Sequence, residues 1–236
     1  MKKRTLGTAL RTAFGHDHLF KRAVTRGEGK RSLLMSRDRM EIFSHLTMRP
    51  CSSQRVTGRA VGLSAPSAAR HLRLLGEMEY LNSFAYGRSQ RYFVLEMIAP
   101  SDRERFALLA EEKARQALLM VVRVGKVRQS AAIQEMKISQ QAAALVMRRL
   151  EAHGFVEAQR ARGETYYTQS MELEAMIRFY AERADGFKQS MLSLLRRDGV
   201  MPVMRRRKKG LLFVEVDQGA ERAVVRLDTN PLSFLR

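Results

Sequence analysis

Apolar residues fall into short periodic blocks separated by Gly, Pro and Ser, not into long runs. Between Arg37 and Met48, the residues Met40, Ile42, Phe43 and Leu46 lie near helical spacing, which predicts an amphipathic helix. Arg49-Pro50 ends it, because a residue before proline is pushed out of helical geometry. Ser53 is placed to cap a short helix through Val61, and Gly62 supplies the left-handed residue of a sharp exit. Ser64 caps a third helix that runs to about Leu75 or Gly76. Its Pro66 lies in the first turn, where a missing N–H costs little. Tyr80 to Ala85 and Gln90 to Val94 flank a Tyr86-Gly87-Arg88-Ser89 turn and read as a hairpin.

The same order recurs downstream. A long helix is predicted over Ser101 to Val124, and a short one over Gln129 to Met136. After a turn at Lys137-Ile138, Ser139 caps a helix through about Ala152, which His153-Gly154 ends. Phe155 to Arg160 and Thr165 to Thr168 flank the turn Ala161-Arg162-Gly163-Glu164 and form a second hairpin. Residues 64–75 align with 139–150 at an offset of 75, with identities at 64/139, 68/143, 69/144, 73/148 and 75/150. Tyr80-Leu81 then faces Phe155-Val156, and Tyr92 faces Tyr167. Beyond the repeat, Met171, Leu173, Met176, Ile177, Tyr180, Phe187, Met191, Leu194 and Leu195 mark a helix from Met171 to Arg197, with Gly186 weakening its middle. A hairpin from Leu211 to Val216 and Ala223 to Leu227 closes the chain.

The expected fold class is therefore mainly α with small β-hairpin wings (α+β), built as two tandem winged helix-turn-helix domains. Its expected parts are a basic N-terminal arm (1–34), domain 1 (35–100), domain 2 (101–170) and a C-terminal helix, basic run and hairpin (171–236).

Charge narrows the partner. The chain has 43 Lys plus Arg against 24 Asp plus Glu, a formal net charge of +19. That points to a polyanion, nucleic acid first and an anionic membrane surface second. Nine basic and two acidic residues lie within 1–31, and Arg205-Arg206-Arg207-Lys208-Lys209 is a second concentration. The N-terminal stretch reads as a phosphate-touching arm or a solvated tail, with organellar targeting as the weaker alternative. The longest apolar run, Ala117 to Val122, is far short of a membrane span. The single cysteine, Cys51, excludes an intrachain disulfide framework and points to a reducing, cytoplasmic, nucleoid-associated setting. Cys51 reads as a packing residue before a redox sensor, and the His16 and His18 pair as solvated before metal-binding. No metal site and no cofactor is called for. With no phosphate-cradling glycine loop, HExxH or Gly-x-Ser-x-Gly, the sequence reads as a non-enzyme.

The stretch Leu63-Ser64-Ala65-Pro66-Ser67-Ala68-Ala69-Arg70-His71-Leu72, with Leu75 beyond it, resembles the recognition-helix motif of bacterial and archaeal winged-helix regulators of the ArsR and MarR type. The resemblance covers roughly residues 36–95, and more weakly 104–170, where Leu145-Val146-Met147 replaces Arg-His-Leu. It implies double-stranded DNA as the partner, with sequence read by the first copy and phosphate contacts or a partner interface supplied by the second.

The helix reading itself nominates residues. Ser64 and Ser67 can hydrogen-bond bases or phosphates, although capping is the default role of Ser64. Ala65 or Ala68 can touch a thymine methyl, Arg70 can reach a phosphate or a guanine, and His71 and Arg73 follow on the same helix. In the second copy Gln140 and Gln141 can read adenine, and Arg148 and Arg149 can meet phosphates. Arg88 and Arg91 on one wing, and Arg160 and Arg162 on the other, suit phosphates or a narrow minor groove. Transcriptional regulation is the leading reading. Its alternatives are an architectural chromatin protein, a plasmid-type replication initiator and a winged-helix protein-interaction module; RNA binding ranks lower, because the aromatics fit hairpin cores. The apolar stripe of the C-terminal helix fits a homodimer interface and an intramolecular core equally well.

Overall fold

A computed structural model describes residues 36–161, 163–197, 203–208, 211–217 and 222–235, with the backbone alone for 203–208, 214–217 and 222–224. The expected arm at 1–34, Arg162, Lys209 and the His16 and His18 pair lie outside the described residues.

The first half builds α1 (Arg37–Met48), β1 (Ser52–Ser53), α2 (Gln54–Ala60), α3 (Ala65–Glu77), β2 (Leu81–Tyr86) and β3 (Ser89–Val94). Ser53 and Ser64 cap α2 and α3 by accepting the backbone N–H of Val56 and Ser67. The second half builds α4 (Arg103–Leu109), α5 (Glu112–Val124), β4 (Lys126–Arg128), α6 (Gln129–Met136), α7 (Gln140–Ala152), β5 (Val156–Ala161) and β6 (Glu164–Gln169). Ser139 caps α7 through the N–H of Ala142.

Each half carries a three-stranded antiparallel sheet of the same plan, β1-β3-β2 and β4-β6-β5. The outer strands β1 and β4 were not expected. They are only two and three residues long, so no periodicity announces them. Three helices with a small wing-bearing antiparallel sheet make this an α+β winged-helix fold.

Two further departures have local causes. The helix expected over 101–124 is a 3-10 turn at Pro100–Asp102 followed by α4 and α5, broken at Ala110-Glu111. Glu111 leaves helical geometry (φ −78°, ψ 126°), which lets its carboxylate reach Arg149 of α7. At the end of the chain, β7 (Val203–Lys208) pairs antiparallel with β8 (Leu211–Asp217), which pairs with β9 (Arg222–Asp228). The expected hairpin is thus a three-stranded sheet. The basic run joins it as an edge strand, the position where charged residues are tolerated.

The core begins with Phe43, Leu46, Leu72, Leu75, Tyr80 and Phe93 in the first half. It continues through Ala117, Val121, Met147, Leu150, Phe155 and Tyr167 in the second. Burying each large apolar side chain contributes roughly 1.5–3 kcal/mol before entropy is charged against it. Phe43 meets Tyr80 edge-on at 6.3 Å between ring centroids.

The 27-residue helix α8 (Met171–Arg197) braces both halves, and exposed Gly186 does not interrupt it. Near its start Glu172 accepts a 2.6 Å bond from Arg105. Further along, the Tyr180 hydroxyl donates to Asp102 at 2.8 Å and accepts from the Ala99 N–H at 3.1 Å. At its end Arg197 donates to the Met78 carbonyl at 3.2 Å. Its apolar stripe, Leu173, Met176, Tyr180, Phe187, Met191 and Leu195, is buried within the chain. The homodimer alternative therefore loses this stripe as its surface. Strand β9 closes over α1, where Ser44 Oγ donates to the Arg226 carbonyl and the Asp228 N–H donates to Thr47 Oγ1. No helix among the described residues is long and apolar enough to cross a membrane.

Candidate nucleic-acid interface

Helices α3 and α7 hold the second-helix position of their helix-turn-helix units. Residues 64–76 and 139–150 contain no Asp or Glu, so neither helix opposes a phosphate along its first three turns. In α3, Ser64, Ala65, Pro66, Arg70 and Arg73 are exposed. Ser64 holds its cap at 3.3 Å to the Ser67 N–H, and Gln54 of α2 donates to the Ala65 carbonyl at 3.0 Å. The start of the helix is thereby fixed from both sides. Ser67 is half-buried.

Two α3 expectations are corrected. Ala68 is fully buried, and a Cβ on Gly58 would lie 3.0 Å from its own, so it forms the close contact between α2 and α3 and cannot reach a thymine methyl. Its spacing from Leu72 and Leu75, four and seven residues, already put it on the core face. His71 turns back toward α1, with Nε2 3.5 Å from Asp38. Desolvation lowers its pKa more than Asp38 raises it, and with 13% of the side chain exposed it serves here as a packing residue.

In α7, Gln140, Gln141 and Arg148 come together. With Gln129, Ser139 and Ala144 they line an open groove of about 590 Å³ between α6 and α7. This lining has amides, a hydroxyl and a guanidinium but no carboxylate, which suits the acceptor-rich edge of a duplex groove. Leu145, 53% exposed, stands where Arg70 stands in α3, and sequence reasoning did not nominate it. The signal was available, because a leucine replaces the arginine of the first copy at that offset.

Arg149 is a correction. Its guanidinium grips Glu111 with two bonds of 2.6 and 2.7 Å and reaches the Tyr86 hydroxyl at 3.4 Å. The hydrogen bond to Glu111 raises its pKa, and the charge is neutralised inside the chain.

On the first wing, Arg88 is exposed at the turn. Arg91 does not belong to the tip. It lies on β3, half-buried, 5.4 Å above the Tyr86 ring, with a buried Nε that has no hydrogen-bond partner. On the second wing Arg160 is exposed on β5. Beside this wing Lys126 and Arg128 of β4 lie 4.7 and 5.7 Å from the Tyr166 ring centroid. Glu164 joins this patch, accepting from the Tyr166 hydroxyl at 2.7 Å and lying 3.5 Å from Arg128; the patch adjoins Gln129, and the Lys126-Val127-Arg128 alternation around buried Val127 was its only sequence signal. Cys51 is buried and burial pushes its thiol pKa up, as a packing residue requires.

Neither a family model nor a curated protein matches this sequence. Solved structures give partial likenesses. Reduced HlyU from Vibrio cholerae N16961 is 24% identical, covering 32% of this chain and 79% of its own, at a TM-score of 0.27. The transcriptional regulator YodB from B. subtilis is 20% identical over 42% of this chain and 93% of its own, at 0.30. ScpB from Mycobacterium tuberculosis is 16% identical over 58% and 94%, at 0.24.

Proposed function

We propose that this chain is a non-enzymatic, double-stranded DNA-binding protein of two tandem winged-helix domains that regulates transcription at the nucleoid. Helix α3 enters a major groove with Ser64, Ala65, Arg70 and Arg73 toward the bases and phosphates. The exposed Arg88 and Arg160 take flanking phosphates, and α7 supplies Gln140, Gln141 and Arg148. The observation that carries the reading is the absence of Asp and Glu from the first three turns of two helices held in the same helix-turn-helix position. The +19 charge supports it, and shape and placement make it more than bulk attraction.

The test is a salt-resolved binding titration of the full chain on selected and random duplexes. A regulator prefers its selected duplex by ~10³-fold or more. A ratio near one with steep salt dependence replaces this reading with architectural coating. No duplex binding at low salt leaves a protein-interaction module. Arg70→Ala weakens selected-duplex binding more than Arg148→Ala, because the first copy carries the regulator-type motif; the reverse ranking assigns base reading to α7.

A further inference from the structure

The two halves meet at adjacent glutamates. Glu111 and Glu112 sit at the break between α4 and α5. Glu112 accepts a 2.7 Å bond from Arg49, the residue that ends α1 of the first half. Glu111 holds Arg149 of α7 by both carboxylate oxygens, and the same guanidinium reaches Tyr86 at the end of β2. So the last turn of α7 lies against the tip of the first wing, where Tyr86 pairs with Ser89 across the turn. Each member has an exposed arginine close by in sequence: Arg148 precedes Arg149, and Arg88 follows Tyr86 by two residues. Bond lengths and side-chain reach keep the Cα atoms of Arg88 and Arg148 within roughly 30 Å, less than the ~34 Å of one duplex turn.

We propose that the first wing and α7 of the second half form one continuous surface for a single duplex, with the Glu111–Arg149–Tyr86 clasp setting their register. The inference rests on the duplex-binding reading above. Helix α7 takes the major groove, and Arg88 takes phosphates or minor groove within the same turn. Side-chain exposures of 32% and 34% leave the Arg149–Glu111 pair partly screened, so its role is to fix a geometry more than to stabilise the fold. Glu111, Glu112 and Tyr86 are positioning residues. They touch no DNA and act through Arg149 and Arg49.

The experiment takes a duplex selected from random sequence by the full chain and maps it with hydroxyl radicals. About five base pairs, half a turn, are then inserted at the centre of the protected segment, which rotates one part of the site to the opposite face. The wild type is expected to protect one uninterrupted segment and to lose about tenfold or more in affinity on insertion. Glu111→Gln with Glu112→Gln is expected to reduce that loss below about threefold; because it also frees Arg149 and Arg49 and so raises affinity for every duplex, the loss is read as the ratio of uninserted to inserted site at one salt concentration. Tyr86→Phe, which keeps the ring under Arg91, relaxes it in the same direction and decides the matter if the double variant fails to fold by circular dichroism. Two separated protected segments, a wild type indifferent to the insertion, or variants with the full wild-type loss overturn the proposal while leaving duplex binding intact. No binding to any duplex overturns the functional reading and this inference together.

Discussion

The two halves exchange glycine at their left-handed positions, and the exchange predicts a gain in stability. Gly62 makes the turn before α3 at φ 71°, while Lys137, 75 residues later, holds the equivalent place before α7 at φ 51°. At the exits of the same helices the roles reverse, with Glu79 at φ 61° and Gly154 at φ 70°. A residue with a Cβ loses roughly 1–2 kcal/mol in this conformation, because the Cβ crowds the following carbonyl. Lys137→Gly removes that strain and gives the unfolded chain extra freedom worth roughly 0.5–1 kcal/mol. The net expectation is a gain of about 0.5–1 kcal/mol, or a rise in Tm of about 1–4 °C for a unit this size.

Thermal unfolding followed by circular dichroism or calorimetry measures it. Lys137→Ala is the control, since alanine keeps the Cβ and its strain; its Tm should stay within about 1 °C of wild type. The reciprocal changes separate backbone from sterics. A Cβ on Gly62 meets nothing within 4 Å, so Gly62→Ala should cost only the backbone's roughly 1 kcal/mol. A Cβ on Gly154 would meet the carboxylate of Glu172, the far end of an exposed side chain that can swing aside, so Gly154→Ala should add to the backbone cost at most the exposed Arg105–Glu172 pair, about 0–1 kcal/mol. If Lys137→Gly leaves Tm unchanged or lowers it, the strain argument is wrong. If Lys137→Ala raises Tm as much as Lys137→Gly, the gain comes from removing a cation and not from relaxing the backbone.

Two other outcomes follow from burial. Burial, with Arg49 and Arg115 nearby, pulls the pKa of His45 from the ordinary 6.5 to about 4, so the unfolded chain takes up a proton that the folded chain refuses. Its contribution is complete above about pH 6.5 and is lost as pH falls toward about 4, by on the order of 2–3 kcal/mol; denaturant titrations showing His45→Phe with the same acid slope would remove His45 as the cause. Gly58→Val forces two branches into the 3.0 Å approach to Ala68, and an expected loss of roughly 1–3 kcal/mol should appear as a lower denaturation midpoint; an unchanged midpoint would mean that the α2–α3 contact yields freely.

The helices and wings were legible because their signals are local. Ser53, Ser64 and Ser139 each announce a cap within three residues of the N–H they accept, and the alternating wing strands sit on either side of a glycine turn. Strands β1 and β4 were not legible, since pairing alone defines segments so short. The break at Glu111 was invisible for a related reason: no breaker residue marks it, and its partner Arg149 lies 38 residues away.

The same distinction sorts the candidate arginines. Arg70, Arg88, Arg148 and Arg160 present themselves outward, while Arg91 and Arg149 are drawn onto Tyr86 and Glu111. Composition cannot tell these sets apart, because an arginine's use depends on which ring or carboxylate the fold brings within reach. Arg148 and Arg149 make the case directly. They are adjacent in sequence, yet one lines the open groove of α7 and the other ties that helix to the first wing. A helix step of about 100° per residue is enough to divide them between binding and positioning.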